Sequence, residues 1–157
     1  MISGEAGSVV RSPVGGRALP LRDVPDPVFA AALVGPGTAI DPTRRGRVIA
    51  VSPVDGTIIK LLPHAFIVQT ADRAGVLVHL GIDTIELAGK GFELLVSEGA
   101  RLAAGADVVE WDPALVESGG HSAICPVVAL DADASALSNV RESGVLTAGD
   151  PLFTWAR

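Results

Sequence analysis

The 157-residue sequence has no tyrosine, four phenylalanines, two tryptophans and a single cysteine. With so few rings, the core must be filled by Val, Leu, Ile and Ala, and stacking platforms for bases are scarce. One thiol, Cys125, excludes an intrachain disulfide and a multi-cysteine metal cluster, and fits a reducing compartment. Basic residues are the minority charge. Twelve Lys and Arg against 18 Asp and Glu give a formal charge of −6, a poor match to nucleic acid but a suitable one to a basic protein partner. No apolar run approaches the roughly 18 residues of a membrane span. Met1 to Ser12 also lacks the basic start and apolar stretch of a signal peptide. These absences describe a cytoplasmic chain with no nucleic-acid surface and no membrane insertion.

What is present is apolar and finely punctuated. Hydrophobic residues make up 48% of the chain, enough for a real core, so disorder over most of its length is excluded. The 18 Gly and 11 Pro are spread throughout and cut the sequence into short runs, as in an all-β antiparallel sandwich or barrel-like fold. Strands are expected at Val48–Val51, Gly56–Leu61, Ala65–Thr70, Gly75–Leu80, Glu93–Leu95, Val108–Trp111, Val127–Leu130 and Pro151–Trp155. Helix is expected only at Pro27–Leu33 behind Asp26, Pro113–Glu117 behind Asp112 and Ala134–Val140 behind Asp133. Residues 1–8 are expected to be disordered, with fraying up to about residue ten, and residues 9–157 to form one domain.

An internal echo accompanies this pattern. Ser12-Pro13-Val14-Gly15-Gly16 returns as Ser52-Pro53-Val54-Asp55-Gly56, each time ahead of an apolar segment. Proline and glycine are common at strand starts, so chance is the plain explanation. The sharper one is a strand–turn unit used twice in a pseudo-symmetric sandwich.

There are three histidines. His79 interrupts the apolar run Val76-Leu77-Val78-His79-Leu80, and strand alternation places Leu77, His79, Gly81 and, if the strand persists, Asp83 on one face with Val76, Val78 and Leu80 in the core. On that reading Gly81 leaves open space beside the imidazole and Asp83 brings a carboxylate near. His64 opens the preceding strand, and a hairpin through Ala71–Ala74 can bring it across from His79. Two imidazoles on adjacent strands suit phosphoryl transfer, one attacking phosphorus and the other donating to its oxygens. They are also the beginning of a zinc site, which needs further ligands. A lone His in an apolar run is ordinarily a satisfied core or rim residue, and spacing alone does not decide. His121, within Ser118-Gly119-Gly120-His121-Ser122, reads as a surface loop residue.

The stretch Gly75-Val76-Leu77-Val78-His79-Leu80-Gly81-Ile82-Asp83-Thr84-Ile85-Glu86-Leu87 resembles the signature of the glucose-type IIA component of the bacterial sugar phosphotransferase system. Ser52–Ile58, His64-Ala65-Phe66, Gly89–Phe92, Glu98-Gly99, Pro126–Val128, Val24–Phe29 and Val34–Gly37 resemble that family's other motifs in order, over about Val9 to Trp155. The resemblance implies an antiparallel β-sandwich with Greek-key-like connections. It also implies a phosphotransferase component with a phosphohistidine intermediate. His79 would accept a phosphoryl group from the general phosphocarrier protein HPr and pass it to a IIB domain, for uptake of a glucose- or N-acetylglucosamine-type sugar. His64 would hydrogen-bond that group. Asp26 and Asp83 would meet partner arginines, and Val28, Phe29, Val34, Leu77 and Ile85 would form an apolar docking ring. No cofactor is required on this reading, although zinc held by His64 and His79 at a partner interface is compatible with it.

One departure stands out. The family often has a longer loop before the first histidine, with a threonine that helps orient the site, whereas here Lys60-Leu61-Leu62-Pro63-His64 is short and lacks it. The chain carries no fused membrane or IIB segment, so a stand-alone IIA protein is expected. Two other function classes remain. One is a regulatory module that docks permeases or metabolic enzymes without transferring phosphate. The other is a zinc hydrolase, disfavoured because the sequence has no His-x-His or His-Glu-x-x-His.

Overall fold

Ser12 and Ser52 each turn their hydroxyl onto the carbonyl two residues ahead, Val14 and Val54, at 2.7 Å in both cases. The two motifs then bond to one another: Arg11 N donates to Pro53 O and Val51 N to Pro13 O, both at 2.9 Å. This reciprocal pattern supports the echo as a structural repeat, with an approximate two-fold axis between its halves. In the structure, a computed structural model that describes residues 8–157, the halves account for nearly every strand.

In chain order the elements are β1 (Ser8–Arg11), β2 (Gly16–Pro20), α1 (Pro27–Ala30), β3 (Gly37–Pro42), β4 (Val48–Val51), β5 (Gly56–Leu62), β6 (Ala65–Gln69) and β7 (Gly75–His79). They continue with β8 (Phe92–Leu94), β9 (Arg101–Leu102), β10 (Asp107–Trp111), α2 (Pro113–Ser118), β11 (Cys125–Ala129), β12 (Leu137–Ser138), β13 (Val145–Leu146) and β14 (Pro151–Trp155). The strands form an eight-stranded sheet in the order β13-β2-β3-β11-β7-β6-β5-β9 and two three-stranded sheets, β1-β14-β12 and β4-β10-β8. Exchange β2 with β5, β3 with β6, β11 with β7 and β13 with β9, and the large sheet reads the same from either end. The small sheets exchange in the same way. A second sequence repeat underlies this: Leu146-Thr147-Ala148-Gly149 leads to Trp155 as Leu102-Ala103-Ala104-Gly105 leads to Trp111. All the pairings are antiparallel and the large sheet is open at β13 and β9, so the architecture is a sandwich and not a closed barrel.

The core lies between the large sheet and the small ones. Val76 and Val78 from β7, Phe66 and Val68 from β6, and Val127 from β11 meet Trp111, Leu152 and Phe153 there. Each fully buried side chain of this size contributes roughly 1.5–3 kcal/mol. Trp111 stacks on Phe92 with centroids 5.9 Å apart and planes at 6°. A second cluster (Leu21, Val24, Phe29, Ala39, Ile82 and Val128) covers part of the large sheet's outer face beneath α1.

The strands expected from sequence are present within a few residues at each end. Among the described residues six were not expected: β1, β2 and β3 near the N-terminus, and the two-residue strands β9, β12 and β13. Ser8 to Val10, for which fraying was expected, pair with Trp155, Thr154 and Phe153; residues 1–7 lie outside the described residues. Asp26 and Asp112 cap α1 and α2 as expected, accepting from Val28 N at 3.0 Å and from Ala114 N at 3.0 Å. The third expected helix, Ala134–Val140, is one 3₁₀ turn at Ala134–Ala136, after which Leu137 and Ser138 pair with β14. At the chain's end Arg157 donates to both carboxylate oxygens of Asp72 in the β6–β7 turn and, at 2.8 Å, to Ser8 Oγ. That contact, with help from Thr70, holds the Asp72 carboxyl down at about 2. Among the described residues no helix is long and apolar enough to cross a membrane.

Candidate functional site

The alternation in β7 is as read from sequence: Val76 and Val78 are fully buried, while Leu77 and His79 face the other side and are partly exposed. His79 ends the strand. Its imidazole Nδ1 lies 2.6 Å from the carbonyl oxygen of Gly81, an acceptor, so Nδ1 carries the proton and Nε2 presents its lone pair. Its ring meets the edges of two others, Phe29 at 5.3 Å and 60° and His64 at 5.2 Å and 71°.

Gly81 does not open space beside the imidazole, as the alternation argument expected. A Cβ there would lie 2.6 Å from Thr84 Cγ2 and 2.8 Å from the backbone oxygen of Ser122. Glycine is required because its φ of +81° turns the carbonyl back to His79 while Ser122 packs against its α-carbon. The strand does not persist to Asp83 either. Asp83 stands at φ +60° ahead of a one-turn 3₁₀ helix, Thr84–Leu87, and is exposed.

His64 arrives by a two-residue turn. Leu62 pairs with Ala65, so Pro63 and His64 alone connect β5 and β6, and neither has positive φ. Proline at the first turn position supplies the φ such a turn needs. The register places Ala65, not His64, opposite His79, and His64 O accepts from Leu80 N at 2.7 Å. The two rings therefore meet because the turn swings His64 inward, and its residue is only 7% exposed. Thr84 lies under the site, with its hydroxyl donated to Leu80 O at 2.8 Å, so it is no replacement for the missing threonine.

Burial lowers the pKa of both imidazoles. For His79 the effect is opposed by the Gly81 carbonyl and by the charges of Asp26 and Asp83. For His64 the nearby His79 adds to the lowering. Both rings are thereby held neutral at pH 7, the state in which Nε2 of His79 is a nucleophile.

The expected docking residues divide into two groups. Val28 and Ile85 are 46% and 68% exposed and flank the histidines from α1 and the 3₁₀ turn. Phe29 is buried, while Val34 and Leu77 are partly buried and pack on the outer cluster. Of these, Phe29 meets the edge of the His79 ring, and Leu77 shares the His79 face of β7. Sequence reasoning missed Leu33, which at 75% is the most exposed large apolar side chain described, although an apolar residue just past a short helix was a usable signal. It also missed the Gly81 carbonyl. His121, read as a surface residue, has a side chain only 14% exposed and contacts Glu86. Grooves of about 610 and 670 Å³ surround the β6–β7 turn, at the far end of the hairpin, and neither includes a histidine. No group of three or more His, Cys, Asp or Glu able to hold a metal occurs among the described residues.

An uncharged nucleophilic nitrogen on a surface edged by apolar side chains is suited to a reacting group delivered by another protein. Residues 8–135 match the family described as phosphoenolpyruvate-dependent sugar phosphotransferase system, EIIA 1. The N-acetylglucosamine-specific EIICBA component of Escherichia coli (strain K12) is 41% identical over 145 residues, covering 90% of this chain. The chain spans only 22% of that relative's length. The glucose-specific EIIA component of Oceanobacillus iheyensis is 40% identical over 136 residues, 85% of this chain and 77% of that one. The solved structure of glucose permease IIA from Mycoplasma capricolum superposes with a TM-score of 0.85 at 28% identity, covering 98% of both chains.

Proposed function

The chain belongs to the glucose-type EIIA family of the phosphoenolpyruvate-dependent sugar phosphotransferase system, and we propose that it serves there as a phosphocarrier in sugar uptake, with His79 Nε2 as the phosphoryl acceptor. The observation that carries this assignment is the 2.6 Å contact between His79 Nδ1 and Gly81 O, which commits the proton to Nδ1 and the lone pair to Nε2.

Transfer follows from that tautomer. A phosphohistidine of the donor, the phosphocarrier protein HPr, approaches with its P–N bond in line with Nε2. As the new N–P bond forms, the old one breaks and its electron pair returns to the donor imidazole. The His79 ring, still protonated at Nδ1, gains positive charge, which the Gly81 carbonyl and the carboxylates of Asp26 and Asp83 stabilise. His64, with its ring 5.2 Å from that of His79, supplies an N–H to the phosphoryl oxygens. The reverse geometry passes the group to a IIB domain. Phe29 closes one side of the ring against water, and exposed Val28, Leu33 and Ile85 form the docking surface, with Asp26 and Asp83 meeting basic residues of the partner. The EIICBA relative carries its IIB and IIC parts in one chain, which favours a IIB partner here. HPr and IIB are proteins of the cytoplasm, and we place this chain there with them. The sugar would be of the glucose or N-acetylglucosamine type.

Transfer needs no cofactor. His64 and His79 could provide half of a tetrahedral zinc site completed by a partner's carboxylate, but no step runs through such an ion.

The test is incubation with phosphoenolpyruvate, enzyme I and HPr. Intact mass should rise by one phosphoryl group, stable to base and labile to acid, and a base digest should yield Nε2-phosphohistidine. His79→Ala should take up none. Full uptake by that variant, or phosphate found on Nδ1, would refute the assignment.

A further inference from the structure

His121 lies outside the histidine pair but is built against the same loop. Its Nε2 is 3.1 Å from Glu86 Oε1, and its Nδ1 is buried with no partner. Its backbone N–H donates at 3.2 Å to Val116 O in α2. The next residue, Ser122, accepts from Ile82 N at 2.9 Å and forms an isolated antiparallel bridge with it. Residues 121–122 thus grip the segment after Gly81 at two points, by backbone at Ile82 and by side chain at Glu86. Between those points stands Ile85, 68% exposed, on the 3₁₀ turn that edges the site.

The unpartnered nitrogen makes the placement informative. A carboxylate at Nε2 requires a proton there, while Nδ1 is shut from water and has no hydrogen-bond partner among the described residues. Buried polar atoms are almost always satisfied, and a leucine would fill the space without leaving one orphaned. Among the described residues the ring's only polar contact is Glu86, whose side chain is 67% exposed.

We propose that His121 is a positioning residue of the phosphotransfer face. By holding Oε1 of Glu86 it fixes the Thr84–Leu87 turn and aims the other carboxylate oxygen outward, where a basic side chain of the docking protein can pair with it. This rests on the reading of His79 as phosphoryl acceptor. It adds an acidic contact to the rim, and it gives that contact a fixed direction.

The test uses the full chain with phosphorylated HPr as donor. His121→Leu fills the space but cannot donate to Glu86, whereas His121→Gln can. Loss of one oriented rim ion pair should raise KM about three- to fivefold in His121→Leu, with kcat held within about twofold. His121→Gln should restore KM, and His121→Leu should add nothing in a Glu86→Gln background. An unchanged KM, a loss confined to kcat, equal impairment by Gln and Leu, or full additivity with Glu86→Gln would each overturn the proposal. Amide exchange supplies a readout independent of transfer. The bonds from Glu86 N to Asp83 O and from Ala88 N to Ile85 O should open faster in His121→Leu than in wild type or His121→Gln, and unchanged exchange also overturns it. If the wild-type chain itself takes no phosphate on His79, the acceptor assignment falls, while exchange still decides whether His121 holds the turn.

Discussion

Gly81→Ala should damage stability and transfer together, and the two losses can be separated. The new methyl must occupy a left-handed backbone position at φ +81°, which costs a non-glycine residue about 1–2 kcal/mol. It would also lie 2.8 Å from Ser122 O, a backbone atom that cannot rotate away. Moving Ser122 stretches its bond from Ile82 N, now 2.9 Å, at a further cost of about 1 kcal/mol. Destabilisation of roughly 2–3 kcal/mol is therefore expected in urea unfolding at constant m-value. If the Gly81 carbonyl turns away from His79, the bond that selects the Nδ1–H tautomer is lost. A preference of about 1.4 kcal/mol corresponds to tenfold in the population that presents Nε2. Phosphorylation should thus slow by up to about tenfold under conditions where the variant is still fully folded. The ¹⁵N shifts of the His79 ring should move toward a tautomer mixture. A Gly81→Ala protein with wild-type stability would refute the packing argument. A destabilised variant with an unchanged His79 tautomer and rate would refute the link from Gly81 to the nucleophile.

Other outcomes follow from the same geometry. His64→Ala should still accept a phosphoryl group but pass it to IIB slowly, by about 100-fold for one lost donor to the charged oxygens; rapid-quench transfer at the native rate would contradict this. Because both imidazole pKa values are depressed below the usual 6.5, Nε2 should stay unprotonated as pH falls to 6.5. The rate of phosphate acceptance should decline only below that, and a midpoint at or above 6.5 would count against burial as the cause. The sign for stability agrees, since below pH 6.5 the unfolded chain binds protons that the folded one resists. Unfolding free energy should therefore drop as pH falls from 6.5 through the folded pKa values, by less in His64→Ala than in wild type. Asp26→Asn should keep the cap on α1 and lose only charge beside His79, whereas Asp26→Ala should also lose about 1 kcal/mol; thermal melts that place the two variants together would refute the separation.

Period-two alternation made β7 legible, because a strand covered unequally on its two faces must sort Val76 and Val78 from Leu77 and His79. The first repeat was legible for a related reason: Ser12 and Ser52 make the same tight turn and so demand the same neighbours. β2 and β3 were missed because Gly16–Pro20 and Gly37–Pro42 begin and end with residues that ordinarily mark turns. Gly37 is needed in its strand because a Cβ there would fall 2.0 Å from Val127 O. At Leu137 a distant strand overrode local helix preference. The histidine pair could be suspected from hairpin logic, although the register that makes it, Ala65 opposite His79, depends on a two-residue turn. The role of His121 had no signal at all in its neighbours, since Glu86 is far away in sequence and reaches it only through the fold.

Arg157 ties Ser8 to the turn at Asp72, so these two residues sit together at one end of the β6–β7 hairpin. The histidines sit at the other end, with a five-residue strand, about 15 Å at 3.3 Å per residue, in between. A change at Ser8 or Arg157 therefore acts about a strand's length from the His64–His79 pair.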